Sequence, residues 1–218
     1  MNVEKLRNYI SVVVIGDFHP DKITAEWLVE KGIVSEESAQ YKRILRLERN
    51  LSVFLISRNI EVLATRDRIQ VTGLVDDQDE VINISIGILK LSEHSNLKGV
   101  GVNPVLEFTF QSVEDGDKFG ESLIPMNKWK GYFKIPSLFE VTLRDNADPK
   151  EIGYDKAINI RSITPRQLDD GKSIASVKMS ANYSFGVSTD EDCMRLLKNT
   201  AKYSDEFWAQ SDQIIANI

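Results

Sequence analysis

The sequence predicts an α+β protein: a curved, mainly antiparallel sheet in two related β-α-β-type halves, packed by helices, with a long C-terminal helix. Three observations lead there. An apolar run from Ile10 to Ile15 ends in the turn Gly16-Asp17-Phe18-His19-Pro20 and leads into a short amphipathic segment, which reads as strand, turn and helix. Two-residue alternation typical of strands then recurs on both sides of one internal helical stretch. Residues Thr189 to Ala216 hold a helical period to the end of the chain. The order is β-α-β-β-β-α-β, then α-β-β-β-α, a shared rhythm without a sequence repeat. No linker rich in Gly, Ser or Pro divides it, so a single domain over residues 1–218 is expected, with lobes at about 1–111 and 112–218 inside it.

The β-branched residues Val12, Val13, Val14 and Ile15 suit a central strand covered on both faces. Asp21 is the expected cap of the next helix, which turns Ile23, Trp27 and Leu28 inward and stops at Gly32. The polar stretch Val34 to Tyr41 reads as surface. Three strands follow: Arg43–Glu48, Leu51–Ser57 and, after a tight turn at Arg58-Asn59, Ile60 to Ala64 and on through Thr72. In the last, Ile69 and Val71 alternate with Gln70 and Thr72, which predicts one wet face. A helix is expected over about Asp77 to His94. Apolar residues from Val81 to Leu91 ring most of its circumference, so packing must hold it, and a strand over Val81–Leu89 is the competing reading.

The pattern returns to strand from Leu97 to Phe110, with Pro104 marking a bulge or an edge. Val113 to Gly131 reads as a helix anchored by Phe119, Leu123, Met126 and Trp129 and broken at Pro125. Strands follow at Ser137–Arg144, Lys156–Ile163 and Ser173–Phe185, the last entered through a hairpin turn at Asp169-Asp170-Gly171. The terminal helix opens with a capping box, Ser188 to Glu191. Its stripe of Met194, Leu197, Ala201, Ser204, Trp208 and Ile215 would run about 40 Å at 1.5 Å per residue.

Three stretches, GDFHPDKITAEWL, TRDRIQVTG and KLSEHSNLKGVGVN, together resemble an uncharacterised group of bacterial proteins. In that group a first strand leads into a Gly-Asp-Phe-Asn-Pro turn and a Trp-bearing segment. The likeness covers most of the chain and departs at His19, where Asn is expected, and at Ile69, where an aromatic is expected. It implies the order of elements and a bacterial source. It implies no activity, cofactor or substrate.

With 218 residues, 42% hydrophobic and 28% charged, the chain can bury roughly 70% of its unfolded surface without staples. A net charge of −6 argues against nucleic-acid binding through bulk charge and leaves a local basic patch open. Cys193 is the only cysteine, so neither an intrachain disulfide nor a cysteine zinc cluster is available, and a reducing compartment is the simplest reading. The first apolar run is too short for a signal segment or a membrane span. A cytoplasmic protein without membrane association is expected.

Asp17 and His19 stand where a strand runs out, as metal ligands, an acid–base pair or simply a turn that caps backbone amides. His94, predicted near a helix end, is expected to favour that terminus, and nothing in the spacing brings the two histidines together, so no metal site is expected. Arg66, Asp67 and Arg68 can grip a phosphate or carboxylate, or guard an exposed edge; Arg43, Arg46 and Arg49 pose the same choice. Gly99-Val100-Gly101 follows a helix and precedes a strand, the reverse of a nucleotide loop. Cys193, beside Asp190, Glu191 and Asp192, reads as a packing residue. The three tryptophans read as core anchors.

The end of the terminal helix, Phe207, Trp208, Ile214, Ile215 and Ile218, is apolar on more than one side, and is either buried or offered to another chain. The expected function is therefore non-enzymatic, through protein–protein contact, as an accessory subunit or homodimer without a cofactor. The alternatives are a small-molecule or weakly catalytic pocket near Asp17, His19 and Arg66, and a nucleic-acid binder using the strand arginines. Asp17, His19 and a distant arginine gathered in one open hollow would count against the non-enzymatic reading.

Overall fold

The computed structural model describes residues 3–133, 137–148, 150, 153–167 and 173–217. The chain runs β1 (Val3–Phe18), α1 (Ala25–Glu30), β2 (Arg43–Glu48), β3 (Leu51–Leu55), β4 (Glu61–Thr65), β5 (Arg68–Leu74), α2 (Gln78–Leu91) and β6 (His94–Phe110). It continues through α3 (Val113–Leu123), β7 (Glu140–Arg144), β8 (Asp155–Gln167), β9 (Ser173–Gly186), α4 (Asp190–Lys198) and α5 (Thr200–Ala216). The nine strands of the described residues join one antiparallel sheet in the order β2-β3-β4-β5-β1-β6-β9-β8-β7. The order explains the rhythm of the sequence. The two long strands β1 and β6 pair at the centre; β5, β4, β3 and β2 follow outward beside β1, and β9, β8 and β7 beside β6, so the boundary between the halves falls before β6 rather than near residue 111.

Strand alternation divides the sheet into a dry face and an open one. Ile10, Val12, Val14 and Phe18 of β1 are buried, as are Val100, Val102, Leu106, Phe108 and Phe110 of β6, and α2, α3, α4 and α5 pack on that side. Ile15, on the opposite face, is 40% exposed. The β-branched run thus belongs to a central strand, as predicted, but not to one covered on both faces, because the helices roof only one. Phe119 of α3 sets its ring edge-on against Phe108 at 5.7 Å in the middle of that core.

Close approach is written into the helices. A Cβ on Gly116 of α3 would lie 2.4 Å from the Cβ of Ala175 on β9, an atom fixed to the backbone. Gly116→Ala is therefore expected to destabilise the protein by about 1–3 kcal/mol through overpacking, although alanine is the better helix former by about 1 kcal/mol. Urea denaturation gives the sign directly. A gain in stability would mean that α3 can lift away from β9.

Several boundaries differ from expectation, each for a local reason. The strand expected from Ile60 through Thr72 is two strands, β4 and β5, reversed at Arg66-Asp67, a turn without glycine or asparagine to announce it. Pro104 produces neither bulge nor edge: β6 is central, and its ladder to β9 skips the positions of Asn103 and Pro104 while keeping register from Val102–Tyr183 to Val105–Ser180. Thr24 rather than Asp21 caps α1, its side chain accepting from the Trp27 N–H at 3.2 Å; Gly32 does take a positive φ of 66° after the helix. The internal helix is confirmed but ends at Leu91, so His94 opens β6. Trp129 lies in a short 3-10 turn beyond Pro125 and is 46% exposed, not a core anchor. The hairpin turn Asp169-Asp170-Gly171 lies outside the described residues.

The terminal helix is two helices. Asn199 caps α4, its backbone N–H donating to Leu196 and Leu197 and its side-chain amide to the Arg195 carbonyl at 2.9 Å. Thr189, not Ser188, starts α4 by accepting from the Asp192 N–H. The break rotates the buried stripe of α5 to Thr200, Ser204, Phe207 and Ser211. No helix among the described residues is long and apolar enough to cross a membrane.

Candidate functional site

One end of the sheet collects most of the polar residues singled out from the sequence. The β4–β5 turn is stitched to the end of β1: the Gly16 N–H donates to the Asp67 carbonyl at 3.1 Å and the Phe18 N–H to the Arg66 carbonyl at 2.9 Å. Phe18 enters the core, so alternation sends Asp17 and His19 the other way. Asp17, His19, Pro20, Asp21, Arg49 and Arg66 line a hollow of about 480 Å³. Asp17 accepts from the Asn96 side-chain amide at 2.6 Å. Asn96 is the one non-glycine residue with positive φ, 49°, among the described residues, a conformation asparagine tolerates.

Of the Arg66-Asp67-Arg68 cluster, only Arg66 lines the hollow. Asp67 accepts from the Thr65 hydroxyl at 2.5 Å, and that bond holds its carboxyl below the usual range. Arg68 is exposed at the start of β5. Arg49, from the β2–β3 turn, stands out in the sequence only as part of an arginine series. Its place beside Asp17 depends on register across several strands, which no spacing reveals.

His94 does not sit at a helix C-terminus as expected. Its Nδ1 is 3.0 Å from the Ser92 carbonyl and its Nε2 is 3.3 Å from Asp190 at the start of α4, in a neighbouring hollow of about 600 Å³. The two histidines line different hollows. Among the described residues no group of three or more His, Cys, Asp or Glu side chains could hold a metal ion.

Chemically, two guanidinium groups and an imidazole facing two carboxylates suit a small ligand that carries a carboxylate or phosphate beside a donor. All five titratable side chains of the hollow are exposed, so the wall excludes little water. Binding is within its means; strong electrostatic catalysis, which needs a dry site, is not supplied by this arrangement.

The opposite end of the open face holds a larger hollow, about 860 Å³, that sequence reasoning missed. Lys5, Arg7, Tyr9, Arg58, Asp76 and Glu107 are among its lining residues. Tyr9 donates its hydroxyl to the Glu107 carboxylate, and burial first, then that bond, pushes its pKa up. The only signal for it in the sequence is alternation, which puts Tyr9 on the side of β1 opposite buried Ile10.

The apolar surface also lies elsewhere than expected. Phe207 is fully buried, Trp208 packs on it with ring centroids 4.8 Å apart, and Ile214 and Ile215 pack against the core; Ile218 lies outside the described residues. Apart from Leu6 and Ile15 of β1 and Leu91 of α2, the exposed large hydrophobics lie outside the central strands. Tyr41, Ile44, Leu45 and Leu47 flank or form edge strand β2, Phe139 and Leu143 flank or form edge strand β7, and Trp129, Tyr132 and Phe133 lie in the segment between α3 and β7. The helix layer covers the central strands and stops short of both edges.

Cys193 is buried, and burial followed by the charge of Asp190 pushes its thiol up to about 12. Burial also raises Tyr154, Tyr183 and Tyr203. In each case the folded state favours the protonated form. The linked stability is full below the unfolded pKa, about 8.5 for cysteine and about 10 for tyrosine, and is lost as pH rises toward the folded values. Urea midpoints are expected to hold steady to about pH 8 and to fall by about pH 10.5, with Cys193 unreactive to thiol reagents until the chain unfolds.

No protein family model matches this chain, and no curated protein is similar to it at a significant level.

Proposed function

We propose that this protein works through protein–protein contact, and that the contact surface is the sheet edge rather than the terminal helix. The observation that carries the reading is β2: a strand at the end of the sheet, exposed along its whole length, with Ile44, Leu45 and Leu47 about half exposed. An unpaired edge offers backbone donors and acceptors to another chain, and its apolar side chains gain by being covered. Light scattering on the full chain, together with affinity purification from its host, tests the reading. Self-association or a stoichiometric co-purifying protein is expected; a strict monomer that brings down nothing overturns it.

A second reading has its own support. Asp17, His19, Arg49 and Arg66 in one open hollow favour a site for a small carboxylate or phosphate ligand, binding or weakly catalytic. Arg66→Ala and Arg49→Ala are each expected to weaken binding of such a ligand about tenfold or more without altering the melting temperature. Calorimetric titration with inorganic phosphate and with a dicarboxylate would decide it, equal heats for parent and variants removing the hollow from consideration.

A further inference from the structure

We infer that two copies of this chain pair antiparallel along β2, in the register that sets Ile44 against Leu47, and Arg43 against Glu48, of the second copy. The inference rests on the protein–protein reading and names its partner. Among the described residues β2 bonds only to β3, so the backbone groups on its outer side have no strand partner.

The irregularity in β2 decides the register. Ile44 lies opposite Phe54 and Arg46 opposite Val53, which makes Leu45 an extra residue and resets the alternation. Ile44 and Leu47 therefore stand level with Phe54 and Ser52, both buried on the helix side. Arg43, Arg46 and Glu48 stand level with Leu55, Val53 and Leu51, on the open side. A two-fold axis normal to the sheet, passing between Leu45 and Arg46, matches like faces: Ile44 meets Leu47 and Arg43 meets Glu48, each pair formed twice.

Neighbouring registers lose this match. Sliding one residue one way sets Arg46 against Arg46 and Arg43 against Arg49. Sliding it the other way sets Ile44 against Arg46, on opposite faces. In the favoured register Glu48, already 2.8 Å from Arg46 of its own strand, lies between two arginines, and Arg43 gains a carboxylate it lacks among the described residues. Lys42 falls opposite Arg49, and each has a counter-charge within its own chain: Glu26 lies 3.4 Å from Lys42, and Asp17 and Asp21 share the hollow of Arg49.

The test uses the full chain. Ile44→Cys and Leu47→Cys proteins, mixed under mild oxidation, are expected to form a disulfide-linked dimer, while either alone does not, because three residues of offset exceed the roughly 7 Å Cα reach of a disulfide. Buried Cys193 stays out of the reaction. Ile44→Lys/Leu47→Lys is expected to raise the dimer dissociation constant at least about tenfold, with the melting temperature unchanged when measured on dissociated chains below that constant. A dimer by light scattering without the mixed cross-link, or with equal linking of Ile44→Cys to Arg46→Cys, overturns this register and leaves the protein–protein reading standing. A monomer with no partner overturns both.

Discussion

Phe207→Ala is expected to destabilise the protein by about 3–5 kcal/mol, lowering the melting temperature on the order of 10 °C, and to leave association below that temperature unchanged. Phe207 has no exposed surface and lies on the face of α5 that packs on β6, β9 and β1. Its removal opens a cavity that Thr200, Ser204 and Ser211, the other buried residues of that face, are too small to fill. The β2 substitutions should behave oppositely, since within one chain Ile44 and Leu47 are about half exposed and lie outside the core. Comparing the two sets by calorimetry and light scattering separates apolar residues that hold the fold from those that meet another molecule. If Phe207→Ala abolished association while leaving the melting temperature intact, the terminal helix would be the contact surface after all.

What the sequence made legible follows from how local each signal is. The apolar run of β1, the helical period of α2, the positive φ at Gly32 and the burial of Phe119 and Cys193 each depend on neighbours a few residues away, and each was readable. The Arg66-Asp67 reversal was not, because a lone aspartate beside an arginine is a far weaker turn signal than an Asn-Gly or Asp-Gly pair. The Asn199 break was missed because the apolar pattern runs smoothly through it, and only the cap geometry shows where the helix ends. Much of the candidate site was visible: alternation puts Asp17 and His19 together, and Arg66 was expected beside them, whereas Arg49 was not. Arg49 and Arg66 join them through sheet order, which places the β2–β3 and β4–β5 turns beside the end of β1.

The same limit applies to Lys156, which reads as an ordinary strand lysine and is instead enclosed. Its ammonium lies 2.5 Å from Glu206 and 2.8 Å from Gln210 of α5, and 5.1 Å from the centre of the Tyr183 ring. The Lys156 side chain is 11% exposed and that of Glu206 32%. Such a pair is not a strong net stabiliser, because removing both charges from water offsets much of their attraction; breaking it is another matter. Lys156→Met is expected to cost about 2–4 kcal/mol by leaving the Glu206 carboxylate without its partner, at the lower end if water reaches its exposed third. Glu206→Leu alone should cost at least as much, since the ammonium it strands is the more enclosed of the two. The double variant should recover most of the loss, since two apolar side chains fill the space without an unpaired charge. Urea denaturation of the four proteins measures the coupling, and high salt should change it little for so enclosed a pair. Additive losses in the double variant would mean that α5 is held to β8 and β9 by packing alone, with the ion pair a bystander.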